Sequence, residues 1–130
     1  MSVAGRFDLV DTSELLTLTT TVDPAGQVVV AAVGDIDLSG DAAFQACIDD
    51  ALDDPACRVL TVDLRGVVFL GARGVCTLGR AHERARVRGV RLVVAADARS
   101  VLRALRAATA SGIEIVATPA AVRPDGTGRW

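Results

Sequence analysis

Few side chains in this sequence could do chemistry, and they stand apart from one another. Asp35 and Asp37 are two residues apart where the apolar run "VVVAAVG" ends. Carboxylates so placed can bind a cation or exchange protons. They can equally end a strand and accept nearby backbone N–H groups, and this plainer role is the one adopted. His82 is the only histidine, and Cys47, Cys57 and Cys76 include no CxxC pair. A zinc site would need all four to converge, so reduced thiols and a packed imidazole are the expectation. Ser39, Ser100, Ser111 and Thr77 offer hydroxyls that a kinase could modify. The most unusual feature is the turn Gly71-Ala72-Arg73-Gly74 between a strand-like and a helix-like segment. Such turns commonly carry a nucleophile or a phosphate-binding loop, but this one has neither. It lacks the Lys-Ser/Thr that completes a phosphate-cradling loop, and no GxSxG elbow is present. The expectation is a protein with no catalytic residues, no cofactor and no metal.

The turn must be held by elements that the sequence marks clearly. "ELLTLTTTV" (14–22) alternates apolar and Thr residues and predicts a half-buried strand. "DPAG" (23–26) is a turn, and "QVVVAAVG" (27–34) returns as a second strand to make an antiparallel hairpin. Ala43, Cys47, Ile48 and Ala51 or Leu52 recur at helical spacing. Ser39 and Asp41 are candidates for the cap and first turn of that helix, and "DDPAC" ends it. "RVLTVDL" (58–64) predicts a central strand. From Ala72 to Val87 the spacing predicts a helix with Val75, Leu78, Gly79, His82 and Ala85 inward. Arg73, Arg80, Arg84 and Arg88 lie near another of its faces, and Gly89 stops it. "VRLVVAA" (90–96) is a strand. A helix follows, with Val101, Leu102, Leu105 and Ala108 inward and Gly112 at its end, and then a last strand at 113–117. The order β-β-α-β-α-β-α-β predicts an α/β fold: a mixed sheet with helices mainly on one face, the N-terminal strand covering part of the other. One domain is expected over 1–117, with 118–130 a flexible tail.

Composition narrows the function. The chain has 130 residues, a formal net charge of −2, and fourteen basic residues that are all Arg. This balance gives no general attraction to nucleic acid or anionic lipid. Aromatics make up 3%, too few for base-stacking platforms or a large ligand pocket. The mean hydropathy is +0.40, but the longest apolar run, Val28–Val33, is far short of the ~20 residues a membrane span needs. No signal peptide is evident, so a cytoplasmic location is expected.

Two segments, "VVVAAVGDIDLSG" and "VLTVDLRGVVFLGARGVCTLGRAHERARVRGVRLVVA", resemble the STAS domain, named for sulfate transporters and anti-sigma factor antagonists. The resemblance covers Leu15 to Ala117. It implies a STAS-like mixed sheet and a protein-binding role. In bacterial anti-sigma factor antagonists the turn usually reads Asp-Ser-Ser-Gly or Asp-Ser-Thr-Gly, and a partner that is both anti-sigma factor and serine kinase phosphorylates the first serine. A phosphate there is tolerated at a helix N-terminus and disrupts a close apolar interface. Here Gly71 stands at the Asp position and Ala72 at the phosphoserine position, with only Gly74 kept.

The resemblance therefore implies a non-catalytic regulator that docks on a kinase-type, ATPase-like anti-sigma factor and cannot be switched off at Ala72. The residues implied in partner binding are Asp35, Asp37, Leu38, Ser39, Gly71, Ala72, Arg73, Gly74, Thr77 and Arg80. Arg73, Arg80 and Arg84 could form a basic strip, although a solvated helix face is the plainer account. A second role fits the same resemblance: an accessory subunit of a membrane lipid- or anion-transport complex, which needs no phosphoserine. No nucleic acid and no direct membrane insertion are expected. Homodimerisation through the N-terminal strand or a sheet edge is open.

Overall fold

Asp23 sets the first hairpin. Its Oδ1 accepts the backbone N–H groups of Ala25 (2.9 Å) and Gln27 (3.0 Å), so the chain reverses between β2 (Leu16–Val22) and β3 (Gln27–Ile36). The computed structural model describes residues 7–13, 16–37, 39–108 and 112–117. The remaining elements are β1 (Phe7–Ser13), α1 (Asp41–Asp53), β4 (Val59–Leu70), α2 (Ala72–Arg88), β5 (Arg91–Ala96), α3 (Arg99–Ala108) and β6 (Glu114–Ala117). They form one six-stranded sheet in the order β1-β2-β3-β4-β5-β6. β2 runs antiparallel to both β1 and β3, and β3 to β6 are parallel, each joined to the next through a helix.

The fold is the α/β arrangement the sequence predicts, with one strand more. β1 was not anticipated, and it pairs with the edge of β2. The N-terminal hairpin thus extends the sheet in its own plane instead of covering a second face. Strand periodicity explains the layers, because alternate residues point to opposite faces. Thr20, Val30, Val62 and Val94 lie in register on the helix side and are buried. On the opposite face, Thr21, Val29, Thr61 and Val93 form the adjacent row and stay partly or wholly exposed. The core fills the space under the helices with Phe44, Ile48 and Leu52 of α1, Leu78, Ala81 and Ala85 of α2, and Val101 and Leu105 of α3.

Two helix expectations shift in detail. The inward face of α2 is Gly74, Thr77, Leu78, Ala81 and Ala85, so Val75, Gly79 and His82 lie at its margin, partly buried. The N-cap of α1 is Gly40, with no side-chain cap bond. Ser39 instead serves the loop before it. The tail expected at 118–130 lies outside the described residues.

Candidate docking site

β4 has two irregularities against β3. Ala31 faces Asp63 but Val33 faces Gly66, and Gly34 faces Val67 but Asp35 faces Phe69. Each adds one residue to β4, which is how a bulge re-aims side chains near a strand end. Both bulges need glycine. Gly34 has φ 120°, a conformation that L side chains avoid. A Cβ on Gly66 would come within 2.9 Å of Val33 Cγ2. As a result Val67 and Leu70 point into the core, while Val68 is 67% and Phe69 51% exposed. Val33, on the neighbouring strand, is 58% exposed. Three large apolar side chains thus stand in water at the C-terminal ends of β3 and β4. The sequence carried a signal for this. Four consecutive apolar residues, Val67 to Leu70, cannot all face one side of a strand.

The turn follows at once. Gly71 donates its N–H to the Ile36 carbonyl (2.9 Å) and is the N-cap of α2, again without a side-chain cap bond. Ala72, the first helical residue, and Arg73 are exposed, and Gly74 is buried. Gly74 is where the helix meets the sheet: a Cβ there would lie 2.7 Å from Leu70 Cδ1 and 3.0 Å from Ile36 Cγ2. The first turn of α2 has no acidic residue. Its amide ends and the exposed Arg73 make this end of α2 positive.

The loop after β3 sits alongside. Asp37 Oδ1 accepts the amide (3.0 Å) and hydroxyl (2.7 Å) of Ser39. The Ser39 hydroxyl, then its amide, hold the Asp37 carboxyl below its usual range. Asp35 is partly buried and in register with Phe69. Leu38 lies outside the described residues. Of the predicted partner-binding set, Asp35, Asp37, Ser39, Gly71, Ala72 and Arg73 come together around this end of the sheet. Thr77 does not: it is 2% exposed, and its hydroxyl donates to Asp41 Oδ1 (3.2 Å). Arg80 is exposed but reaches back to Gln45 Oε1 (3.1 Å). Arg84 is paired with Asp49 (2.9 Å) and Asp53 (2.5 Å). The basic strip on α2 is therefore largely consumed within the molecule, and Arg73 stands apart from it.

The other chemistry-bearing residues remain dispersed. Cys57 is buried, Cys47 partly buried and Cys76 exposed. Burial, followed by the Asp54 charge, pushes the Cys57 thiol up. Among the described residues no three His, Cys, Asp or Glu side chains gather as metal ligands. On the open sheet face Asp63 forms a two-toothed pair with Arg65 (2.8 Å and 2.8 Å). Burial alone would raise the Asp63 carboxyl, but the Arg65 hydrogen bonds outweigh it and hold it low. No helix of the described residues is long and apolar enough to cross a membrane.

Comparison with known proteins finds a family match over residues 19–117, to the family described as "Mlab, STAS domain". Among solved structures, an anti-sigma factor antagonist from Mycobacterium paratuberculosis is similar at 24% identity and a TM-score of 0.68, over 79% of this chain and 86% of that one. The Bacillus cell fate determinant SpoIIAA in its phosphorylated form gives 14% and 0.59, over 87% of this chain and 92% of that one. The murine anion transporter Slc26a9 gives 16% and 0.63, over 75% of this chain but 17% of the transporter. At these identities the likeness is one of fold. No curated protein matches the chain.

Proposed function

We propose, from the premise that the chain belongs to the STAS domain family, that it is a non-catalytic protein-binding regulator of the anti-sigma factor antagonist type. Its partner on this reading is a kinase-type anti-sigma factor in the cytoplasm, and residues up to 117 act as one domain. The observation that carries the reading is the apolar patch of Val33, Val68 and Phe69 beside the exposed N-terminus of α2. Two bulges in β4 interrupt regular strand pairing and leave Val68 and Phe69 facing outward beside Val33 of β3, and a cluster of large apolar side chains in water fits a docking surface. Asp35 is in register with Phe69, and a Cβ on Gly71, at the turn before Arg73, would lie 3.5 Å from the Phe69 ring.

Ala72 stands where the phosphorylated relatives would carry serine. A phosphate at the first residue of α2 would meet free amides and Arg73, so the site could accept one. Without a hydroxyl at Ala72 the complex would persist in the presence of ATP. A second reading, an accessory subunit of a membrane transport complex, is favoured by the bare turn together with the likeness to a domain of an anion transporter.

The test is calorimetry against the kinase-type anti-sigma factor encoded in the same genome, with and without ATP, followed by intact mass. The expected result is equal binding under both conditions and no added mass. Phe69→Ser should weaken binding at least about tenfold, the loss of roughly 1.4 kcal/mol typical of an aromatic anchor. A mass gain of one phosphate with release would overturn the unswitchable complex. No binding would move the assignment to the transport reading.

A further inference from the structure

Arg99, Arg103 and Arg106 follow one another at i, i+4 and i+7 along α3, which puts them on one stripe. All three are exposed. With Leu102 and Ala117 they line an open groove of about 820 Å³ at the C-terminal ends of β5 and β6. The arginines elsewhere are mostly committed: Arg65, Arg84, Arg86 and Arg91 each hold a carboxylate. Among the described residues the side chains of Arg99, Arg103 and Arg106 hold none, and they make no hydrogen bond. Among the described residues the one carboxylate lining the groove is Asp97, which also acts on Arg65, whose proton is retained first by its hydrogen bonds to Asp63. Three positive charges thus line one groove of a chain whose net charge is −2.

We infer that this groove takes an acidic protein segment, an extended stretch with carboxylates on alternate residues. The stripe is ~10 Å long at 1.5 Å per residue. In an extended chain, residues two apart face the same side ~6.6 Å from each other. Two or three carboxylates of a Glu-x-Glu-x-Glu run therefore meet the three guanidinium groups, which grip carboxylates through paired N–H donors. The groove also adjoins the apolar patch. Ser100, next to Arg99, donates its hydroxyl to the Val68 carbonyl (3.1 Å). The inference rests on the docking reading in this one respect: a partner anchored on Phe69 would lay an acidic stretch along α3.

The test uses a fluorescent octapeptide of alternating Glu and Ser, with the intact chain, by anisotropy and ¹⁵N shift mapping. Binding is expected at about 20 mM salt and should weaken strongly at about 200 mM. Shifts should concentrate at Arg99–Ala107 and Ala117. The variant Arg99→Gln/Arg103→Gln/Arg106→Gln should lose at least tenfold in affinity with an unchanged melting curve. Arg84→Gln/Arg86→Gln should bind as the parent does. Phe69→Ser should leave peptide binding intact, so a failed docking reading, seen only against the anti-sigma factor, stays distinguishable from a failed groove. No binding at low salt, binding that survives the triple change, or an equal loss in the α2 double variant would overturn the inference. So would inorganic triphosphate binding more tightly than the peptide, which would make the groove a small-polyanion site.

Discussion

α2 and α3 lie on the same face of the sheet and both are rich in arginine, but they use it differently. α2 is joined to α1 by polar contacts along its length: Thr77 to Asp41, Arg80 to Gln45, Arg84 to Asp49 and Asp53, and Arg88 to the Leu52 carbonyl. α3 has no comparable seam among the described residues. It is held by Val101 and Leu105, both fully buried, and by the Ser100 hydroxyl on Val68. The first helix is fixed in orientation as well as depth, which suits an element whose N-terminus forms the proposed docking turn. The second is fixed mainly in depth, and its cations remain available.

The largest effect is expected where α3 relies mainly on apolar burial. Leu105→Ala removes one of its two buried anchors and should cost about 2–5 kcal/mol of unfolding free energy in urea titration. Hydrogen exchange should quicken in α3 before it does in α1 and α2. Equal acceleration in all three helices would mean that the polar seam adds nothing to local stability, and the contrast would fail.

A smaller cost is expected from the seam. Thr77→Val keeps the shape but leaves the Asp41 carboxylate, 7% exposed, without the Thr77 hydroxyl. The expected loss is about 1–3 kcal/mol, with Thr77→Ser restoring most of it. If valine were neutral, the contact would be packing with an incidental hydrogen bond.

Much of this architecture could be read from the residues. The hairpin followed from Asp-Pro-Ala-Gly, the parallel strands from β-branched runs, and the α2 start from Gly71 after an apolar stretch. What escaped was set by pairing or by distance in the chain. β1 is a strand because β2 offers it an edge, and "FDLVDTS" carries only weak alternation of its own. The spacing alone puts the inward face of α2 off by part of a turn because Thr77 reads as polar. Its partner Asp41 lies 36 residues away. For the same reason Thr77 looked like a surface hydroxyl. The outward turn of Val68 and Phe69 depends on bulges against β3, and no spacing within β4 announces which of four apolar residues will face water.

The smallest effects draw the finest distinction between the helices. Arg84→Gln breaks two ion pairs, but the arginine and both its partners are well exposed. Screening and side-chain entropy limit each such pair to roughly 0.2–1 kcal/mol, falling as salt rises. Arg103→Gln breaks no pair and relieves repulsion from Arg99 and Arg106 four and three residues away. Its effect on stability should be zero or slightly favourable, by about 0.2–0.5 kcal/mol. Measured together across a salt series, the two changes should therefore differ in sign at low salt and converge at high salt. A cost for Arg103→Gln equal to that of Arg84→Gln would mean that α3 spends its arginines on the fold as α2 does, leaving the groove without its unpaired charge.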